Sequence, residues 1–309
     1  MSPALLCSLT AVGWPASYHF LQQVWDKMVK VEEVTGEILR EVYKERDPDS
    51  CKYDFGHLLV IGGSKLYSGS PALNALAACR SGVDLVTVVA PKRPADIVAS
   101  FSPDLITYPL DGDFFEPKHL KEVQKLLENK AAVVIGGGTG REEKTFEFIS
   151  EFLKIVGVPV VIDADAIHAV AQNKKILTGS DFVLTPHLYE FYILTGVRLS
   201  KNLDERAEAV KKAASDLKTT ILLKGHTDII SDGEKVALNK TGSPYLTVGG
   251  TGDTLAGILG SLLAQGNDLW TSTCAAAFIN GLAGELAADE FGPGVLATDL
   301  IEYIPEIII

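Results

Sequence analysis

Cysteine is scarce: of 309 residues only Cys7, Cys51, Cys79 and Cys274 carry a thiol, and they are scattered without paired spacing. That argues against a disulfide framework and a cysteine zinc site, and a reducing cytoplasm suits the chain. Long apolar runs are missing too. No uncharged stretch reaches the roughly 18 consecutive apolar residues of a membrane span. Basic charge is short, with 28 Lys and Arg against 40 Asp and Glu, a net charge of −12. Nucleic acid and anionic membranes want a broad basic face, so neither is an expected partner and any phosphate site must be local. The apolar patch LLCSLTAVGWPAS has no basic residue before it, a poor match to a secretory signal. Gly62-Gly63 precede Lys65, but GGSKLYSGS lacks the GK[ST] ending of a Walker loop, and no GxGxxG fits.

What is present is enough apolar residue, 47% of the chain, to bury a large core. The length suits one α/β domain plus an N-terminal extension. The chain is organised around residues 240–266, KTGSPYLTVGGTGDTLAGILGSLLAQG. After Asp253, residues Leu255, Ile258, Leu259, Leu262 and Leu263 fall on one stripe of an amphipathic helix, and Gly266 stands where it should end. A glycine turn opening into a helix points unpaired N–H groups outward at the positive end of the dipole, an anion site. Asp253 in that first turn has two readings. It is either an ordinary helix-start acid or a general base that takes a proton from a hydroxyl attacking a phosphoryl group.

Other glycine turns follow apolar strands. Residues 55–89 read as strand, turn, helix and strand, a βαβ unit, with Pro71 suited to the helix's first turn. A helical stretch at 119–129 leads to a strand at 131–135 that ends in Gly136-Gly137-Gly138-Thr139-Gly140, at the sheet edge where open α/β folds bind ligands. The strand 158–162 ends in Asp163-Ala164-Asp165-Ala166, carboxylates that either cap the next helix or serve a metal. The strand 182–184 runs into Thr185-Pro186-His187-Leu188-Tyr189-Glu190. There His187 is either structural or a ligand contact, and Glu190 a helix-start acid or a metal-linked one. The strand 220–223 opens into Lys224-Gly225-His226-Thr227-Asp228, where Lys224 reads as an exposed cation or a phosphate contact. A small-residue helix at 272–290 and the tail IEYIPEIII, a core or subunit contact, close the chain.

Together these turns resemble those of the ADP/ATP-dependent NAD(P)H-hydrate dehydratases, within the ribokinase-like superfamily. GTGD before a helix, after an expected strand ending in LTVG, resembles that family's anion hole. Gly63-Ser64-x-x-Tyr67-x-Gly69-Ser70-Pro71 resembles its first turn, and Asp163 to Ala166 its DADA. The other turns match with changes. Gly137 and Thr139 replace Pro and Leu of GPGLG, Tyr189 replaces Gly of TPHxGEF, and Asp228 replaces the closing Thr of KGxxT. Upstream, Cys51 and Tyr53 replace His and Gly of DSHKGDFG. The resemblance spans about residues 31–304, with the turns in the family's order. It implies a three-layer α/β sandwich around a mostly parallel sheet in residues 31–309. Residues 1–30 form an extension, disordered or mis-annotated, with the natural start expected at Met28.

It also implies dehydration of hydrated NADH or NADPH, with ADP or ATP as co-substrate and Mg2+. Substrate contacts would fall on Ser70, Gly138, His187 and Asp253, with Asp253 catalytic. Nucleotide contacts would fall on Lys224, Gly225, His226, Thr227, Asp228, Gly250, Thr251 and Gly252, and magnesium on Glu190. A cytoplasmic homo-oligomer, a tetramer or larger, is the expected assembly. Two alternatives stand beside this reading: a ribokinase-like kinase of a small hydroxymethyl or hydroxyethyl vitamin precursor, and a regulatory nucleotide-binding protein without turnover.

Overall fold

The computed structural model describes residues 31–308, so the extension through residue 30, with the start expected at Met28, lies outside the described residues. Ten strands form one sheet: β1 (Val31–Glu33), β2 (His57–Ile61), β3 (Leu85–Pro91), β4 (Ile106–Leu110), β5 (Ala132–Ile135), β6 (Val160–Ile162), β7 (Phe182–Leu184), β8 (Thr220–Leu223), β9 (Asp228–Ser231) and β10 (Val236–Asn239). Their order is β1-β10-β9-β8-β7-β6-β5-β2-β3-β4, and β9 alone runs antiparallel to its neighbours. From β2 the chain steps outward through β3 and β4, then returns to place β5 on the other side of β2. The order therefore reverses between β2 and β5, and a crevice opens there beyond the carboxyl ends of the strands.

Among the described residues, ten helices of seven residues or more follow in chain order, after a single helical turn at Leu39–Val42: α1 (Gly69–Arg80), α2 (Lys92–Val98), α3 (Leu120–Leu126), α4 (Glu143–Ile155), α5 (Asp165–Gln172), α6 (Leu188–Thr195), α7 (Leu203–Leu217), α8 (Thr251–Ala264), α9 (Leu269–Phe291) and α10 (Ala297–Ile307). Side chains alternate across each strand, so Leu58 and Val60 of β2 meet α1 and α8 on one face while Leu59 and Ile61 meet the α4–α5 layer on the other. Both faces being covered is why the central strands read as unbroken apolar runs. The result is a three-layer sandwich. None of the described helices is long and apolar enough to cross a membrane. The tail is a core contact, since Leu300, Ile301, Ile304 and Ile307 of α10 are buried with α9 and α1.

Two local expectations fail. The segment before the GTGD turn is not a strand: the last strand ends at Asn239, and Pro244–Leu246 form a single 3-10 turn. Pro244 has no N–H to give a sheet, and Gly242 takes φ +129°, which turns the chain away. Nor is α8 amphipathic. Every residue from Thr254 to Ala264 is buried, because the helix lies at the centre of its layer, packed against the sheet, α1 and α9.

That central placement depends on two glycines. A side chain on Gly257 would run into the main chain of Asn74 in α1, and one on Gly260 would overlap Val134 of β5 and press on Leu58 of β2. Close packing of backbone against backbone leaves no slack for an added methyl. Gly257→Ala is therefore expected to lower the unfolding free energy by about 1–3 kcal/mol, measured by urea melting. A variant as stable as the wild type would show that α8 is free to shift.

Candidate active site

The turns all emerge at the carboxyl edge of the sheet. At the switch point the glycines after β2 and β5 sit back to back: Gly63 N donates to Gly137 O at 2.8 Å, and a side chain on Gly62 would come within 2.7 Å of the same oxygen. Gly138 takes φ +65° and lies against Tyr67, where a side chain would approach the Tyr67 Cβ to 2.7 Å. Gly137 faces the interior of the site. A side chain there would overlap the Ser70 hydroxyl and come 3.0 Å from Asp253 Oδ1. Glycine at this position thus leaves room for Ser70.

Gly250, at φ +102°, caps α8, and Thr254 N makes the helix's first bond back to Gly250 O at 3.0 Å. The N–H groups of Thr251, Gly252 and Asp253 precede that bond and have no partner within the helix. Thr251 Oγ1 holds the turn by donating to Leu246 O at 3.0 Å, and Asn280 Nδ2 of α9 donates to Thr251 O at 3.3 Å. Asp253 accepts the Ser70 hydroxyl on Oδ1, and Asn74 Nδ2 donates to its main-chain carbonyl at 2.7 Å. Burial, reinforced by the nearby Asp163, pushes the Asp253 carboxyl up to about 6, although the Ser70 hydrogen bond and Lys224 pull it down.

Lys224 lies at the centre of the edge. Its Nζ donates to Asp163 Oδ1 at 2.8 Å and stands 3.3 Å from where a Gly252 side chain would begin, which places the charge beside the anion turn. Burial works against that charge, but Asp163, Glu190 and Asp253 outweigh it, and the lysine is raised above its ordinary value. Asp163 also accepts the Thr185 hydroxyl at 2.7 Å. Asp165 accepts Gly140 N at 3.0 Å and Arg141 Nε at 2.7 Å, bracing the turn after β5. The capping reading of these two acids is thus corrected: neither side chain caps α5, because both are drawn to stronger partners on neighbouring turns.

His187 caps α6 instead. Its Nδ1 accepts Tyr189 N at 3.0 Å and Glu190 N at 3.3 Å, while Glu190 Oε2 accepts His187 N at 2.8 Å, a reciprocal capping box. An imidazole accepting at Nδ1 carries its proton on Nε2, and partial burial together with Lys224 lowers its pKa. Glu190 is buried, which raises its carboxyl to about 7 against the pull of Lys224. The helix-start reading of Glu190 therefore holds as geometry. Among the described residues no group of three or more His, Cys, Asp or Glu side chains forms a metal cage.

A cavity of about 560 Å³ opens in front of these groups, lined among others by His187, Lys224, Gly225, His226, Asp228, Thr251 and Gly252. His187 and Lys224 follow adjacent strands, so they share one wall rather than two separate sides. Asp228 begins β9, where its carboxylate accepts Gly225 N at 3.0 Å and Asn239 Nδ2 at 3.1 Å, closing the loop on itself. The far wall, Thr241 to Thr247 with Asn280 and Gly281, was not anticipated from the sequence. Its signal was the small residue at 281, where any side chain would overlap Thr241.

A protein-family profile described as NAD(P)H-hydrate dehydratase matches residues 58–306. The chain belongs to this family. It is 37% identical over 270 residues to the ADP-dependent (S)-NAD(P)H-hydrate dehydratase of Cenarchaeum symbiosum, covering 87% of this chain and 94% of that protein. It is 44% identical over 265 residues to the bifunctional NAD(P)H-hydrate repair enzyme Nnr of Pyrobaculum aerophilum, covering 85% of this chain and 52% of that protein. The chain spans about half the length of such bifunctional relatives. The ADP/ATP-dependent NAD(P)H-hydrate dehydratase of Bacillus subtilis, co-crystallised with ATP and Mg2+, superposes with a TM-score of 0.79 at 29% identity, covering 90% of this chain and 98% of that one. The three-layer sandwich is ribokinase-like, the class the turns implied.

Asp163→Ala would leave the Lys224 ammonium without its nearest partner in a wall where 21% of its side chain meets solvent. We expect a loss of about 2–4 kcal/mol in urea melting, below the full value for a buried pair because of that exposure. An unchanged midpoint would mean that Glu190 and Asp253 hold the lysine without Asp163.

Proposed function

We propose that this chain dehydrates hydrated NADH or NADPH, consuming ADP in preference to ATP. The observation that carries the reading is the half-buried Asp253 carboxylate, held at the start of α8 beside unpaired N–H groups and the Lys224 cation. A phosphoryl group seated on the N–H groups of Thr251 and Gly252 would have its charge met by the helix dipole and by Lys224. Asp253 would take the proton of the C6 hydroxyl as that oxygen attacks phosphorus. The nucleotide leaves one phosphate shorter, phosphate then departs from C6 with a proton from C5, and the C5–C6 double bond re-forms. The name of the Cenarchaeum relative, over 94% of whose length this chain aligns, supports ADP as donor.

On this reading Gly225, His226, Thr227 and Asp228 line the nucleotide's place, with Gly250 shaping the turn beside it. Ser70, Gly138 and His187 face the nicotinamide, to which neutral His187 offers its Nε2–H. Magnesium would arrive on the nucleotide phosphates, which need few protein ligands, and Glu190 would be the carboxylate that meets it or its waters. The ion would neutralise phosphate charge. We further propose a cytoplasmic homo-oligomer, a tetramer or larger, which sedimentation of the purified protein tests.

The decisive assay follows the return of reduced-nicotinamide absorbance from hydrated NADH with Mg2+ and either nucleotide. Recovery is expected, faster with ADP; a stable phosphorylated hydroxymethyl or hydroxyethyl product with no recovery would favour the kinase alternative. Asp253→Asn should keep the fold within about 1 kcal/mol, since Asn also suits a helix start, and keep nucleotide binding. Its turnover should fall by about 10²–10⁴-fold. A base must be ionised to act, so kcat/KM should rise with pH through a limb near about 6 and level off above it. Turnover in Asp253→Asn within a few-fold of wild type would remove Asp253 as the base. His187→Ala should weaken the hydrated cofactor more than the nucleotide, and titration showing the reverse would reassign the shared wall.

A further inference from the structure

The cavity has two facing walls, and hydrogen bonds from both converge on one side chain that lines neither. Asn239 ends β10 and pairs across the hairpin with Asp228, the first residue of β9. It is fully buried behind the cavity surface. Its Nδ2 donates to Asp228 Oδ2 at 3.1 Å and to Ala277 O of α9 at 3.1 Å, with Thr241 O a distant third at 3.5 Å. Its Oδ1 accepts the Thr241 hydroxyl at 2.9 Å and Thr241 N at 3.4 Å. A carboxylate and a carbonyl only accept while an N–H only donates, so this set of partners fixes which way round the amide lies.

The bonds run on into both walls. Asp228 Oδ1 accepts Gly225 N at 3.0 Å, which closes the loop after β8. On the other side Thr241 begins the far wall, and its hydroxyl also reaches Phe278 O of α9 at 3.3 Å. One turn further along α9, Gly281 lets Thr241 sit against the helix, where a side chain would overlap its hydroxyl. We infer that Asn239 is a positioning residue for the nucleotide: it sets the separation between the loop at residues 225–228 and the wall that begins at Thr241, and so the fit of ADP between them, without touching the ligand. The inference rests on this cavity being the nucleotide's place, as proposed above. A buried amide with its hydrogen bonds made holds one arrangement of its neighbours, because any other leaves a buried donor or acceptor unpaired. Ser70 and His187, which face the nicotinamide on that reading, bond to Asp253 and to the start of α6 instead. A change at Asn239 should therefore spare the hydrated cofactor.

The experiment titrates wild type and variants with ADP and Mg2+, and separately with hydrated NADH, after melting curves have checked each fold. Asn239→Ala should weaken ADP about tenfold and leave hydrated NADH within about twofold. Asn239→Asp sets a carboxylate against Asp228, and Asp228→Asn turns an amide N–H toward one of its two donors, so each alone should weaken ADP as well. The double variant Asp228→Asn with Asn239→Asp again places a donor opposite an acceptor, and should bind ADP more tightly than either single variant. An asparagine with a merely structural role predicts neither that recovery nor a difference between the two ligands. Unchanged ADP binding in Asn239→Ala, equal loss of both ligands, or a double variant no better than the singles overturns the inference. Should Asn239→Ala fail to fold, the double variant and its two singles decide; should the double variant fail, Asn239→Ala decides. A wild type that does not bind ADP is a different result, which removes the nucleotide reading of the cavity and this inference with it.

Discussion

Lys224 carries its charge into a wall where only 21% of its side chain meets solvent, and Asp163, Glu190 and Asp253 stand around it. A buried cation is tolerated only where carboxylates replace the lost water, and a cluster of carboxylates only where a cation holds them together. The pairing joins the ends of β6 and β8 with the starts of α6 and α8. Asp163 in turn accepts from Thr185 after β7, so neighbouring strand ends are bound into one polar layer over an apolar sheet. Remove the lysine and like charges remain to repel one another.

The same arrangement prepares the chemistry. Burial raises the carboxyls of Asp253 and Glu190, while Lys224 keeps them within reach of ionisation near neutral pH. A group poised in this way accepts a proton readily and gives it up again. The glycines serve that poise by letting backbone approach backbone. Gly257 and Gly260 set α8 deep enough that Asp253 is half-buried and close to the turn after β5. Packing of α8 on the sheet and electrostatics at the sheet's edge are therefore one constraint.

Much of this was legible before any coordinates. The glycine turns after β2, β5 and β8 each follow a strand that reads as an apolar run, and the position of a turn at a strand end is a local property. His187 and Glu190 show where local reading stops. Three residues apart, they form a capping box, which a spacing argument can find. That the same histidine also lines the cavity with Lys224 depends on β7 and β8 being neighbours. Asp163 and Asp165 read as helix caps or metal-linked acids, yet each found a partner on another turn, the first 61 residues away. The apolar stripe of α8 was visible, whereas its burial on every side was not, because periodicity reports a helix's own faces and not how many neighbours cover them.

The sequence by itself determined the α/β class, most of the strands, the glycine turns and the helix start that carries Asp253. All of these follow from hydrogen bonds and φ preferences between residues close in the chain. Only the tertiary structure decided what surrounds Asp253: the hydroxyl of Ser70, 183 residues away, and the amide of Asn74, 179 residues away. It also supplied the far wall from Thr241 to Thr247, and the room that Gly137 leaves for a hydroxyl. Local sequence cannot specify such contacts, because they exist only once strand order has brought β2 beside β5 and laid α8 across them.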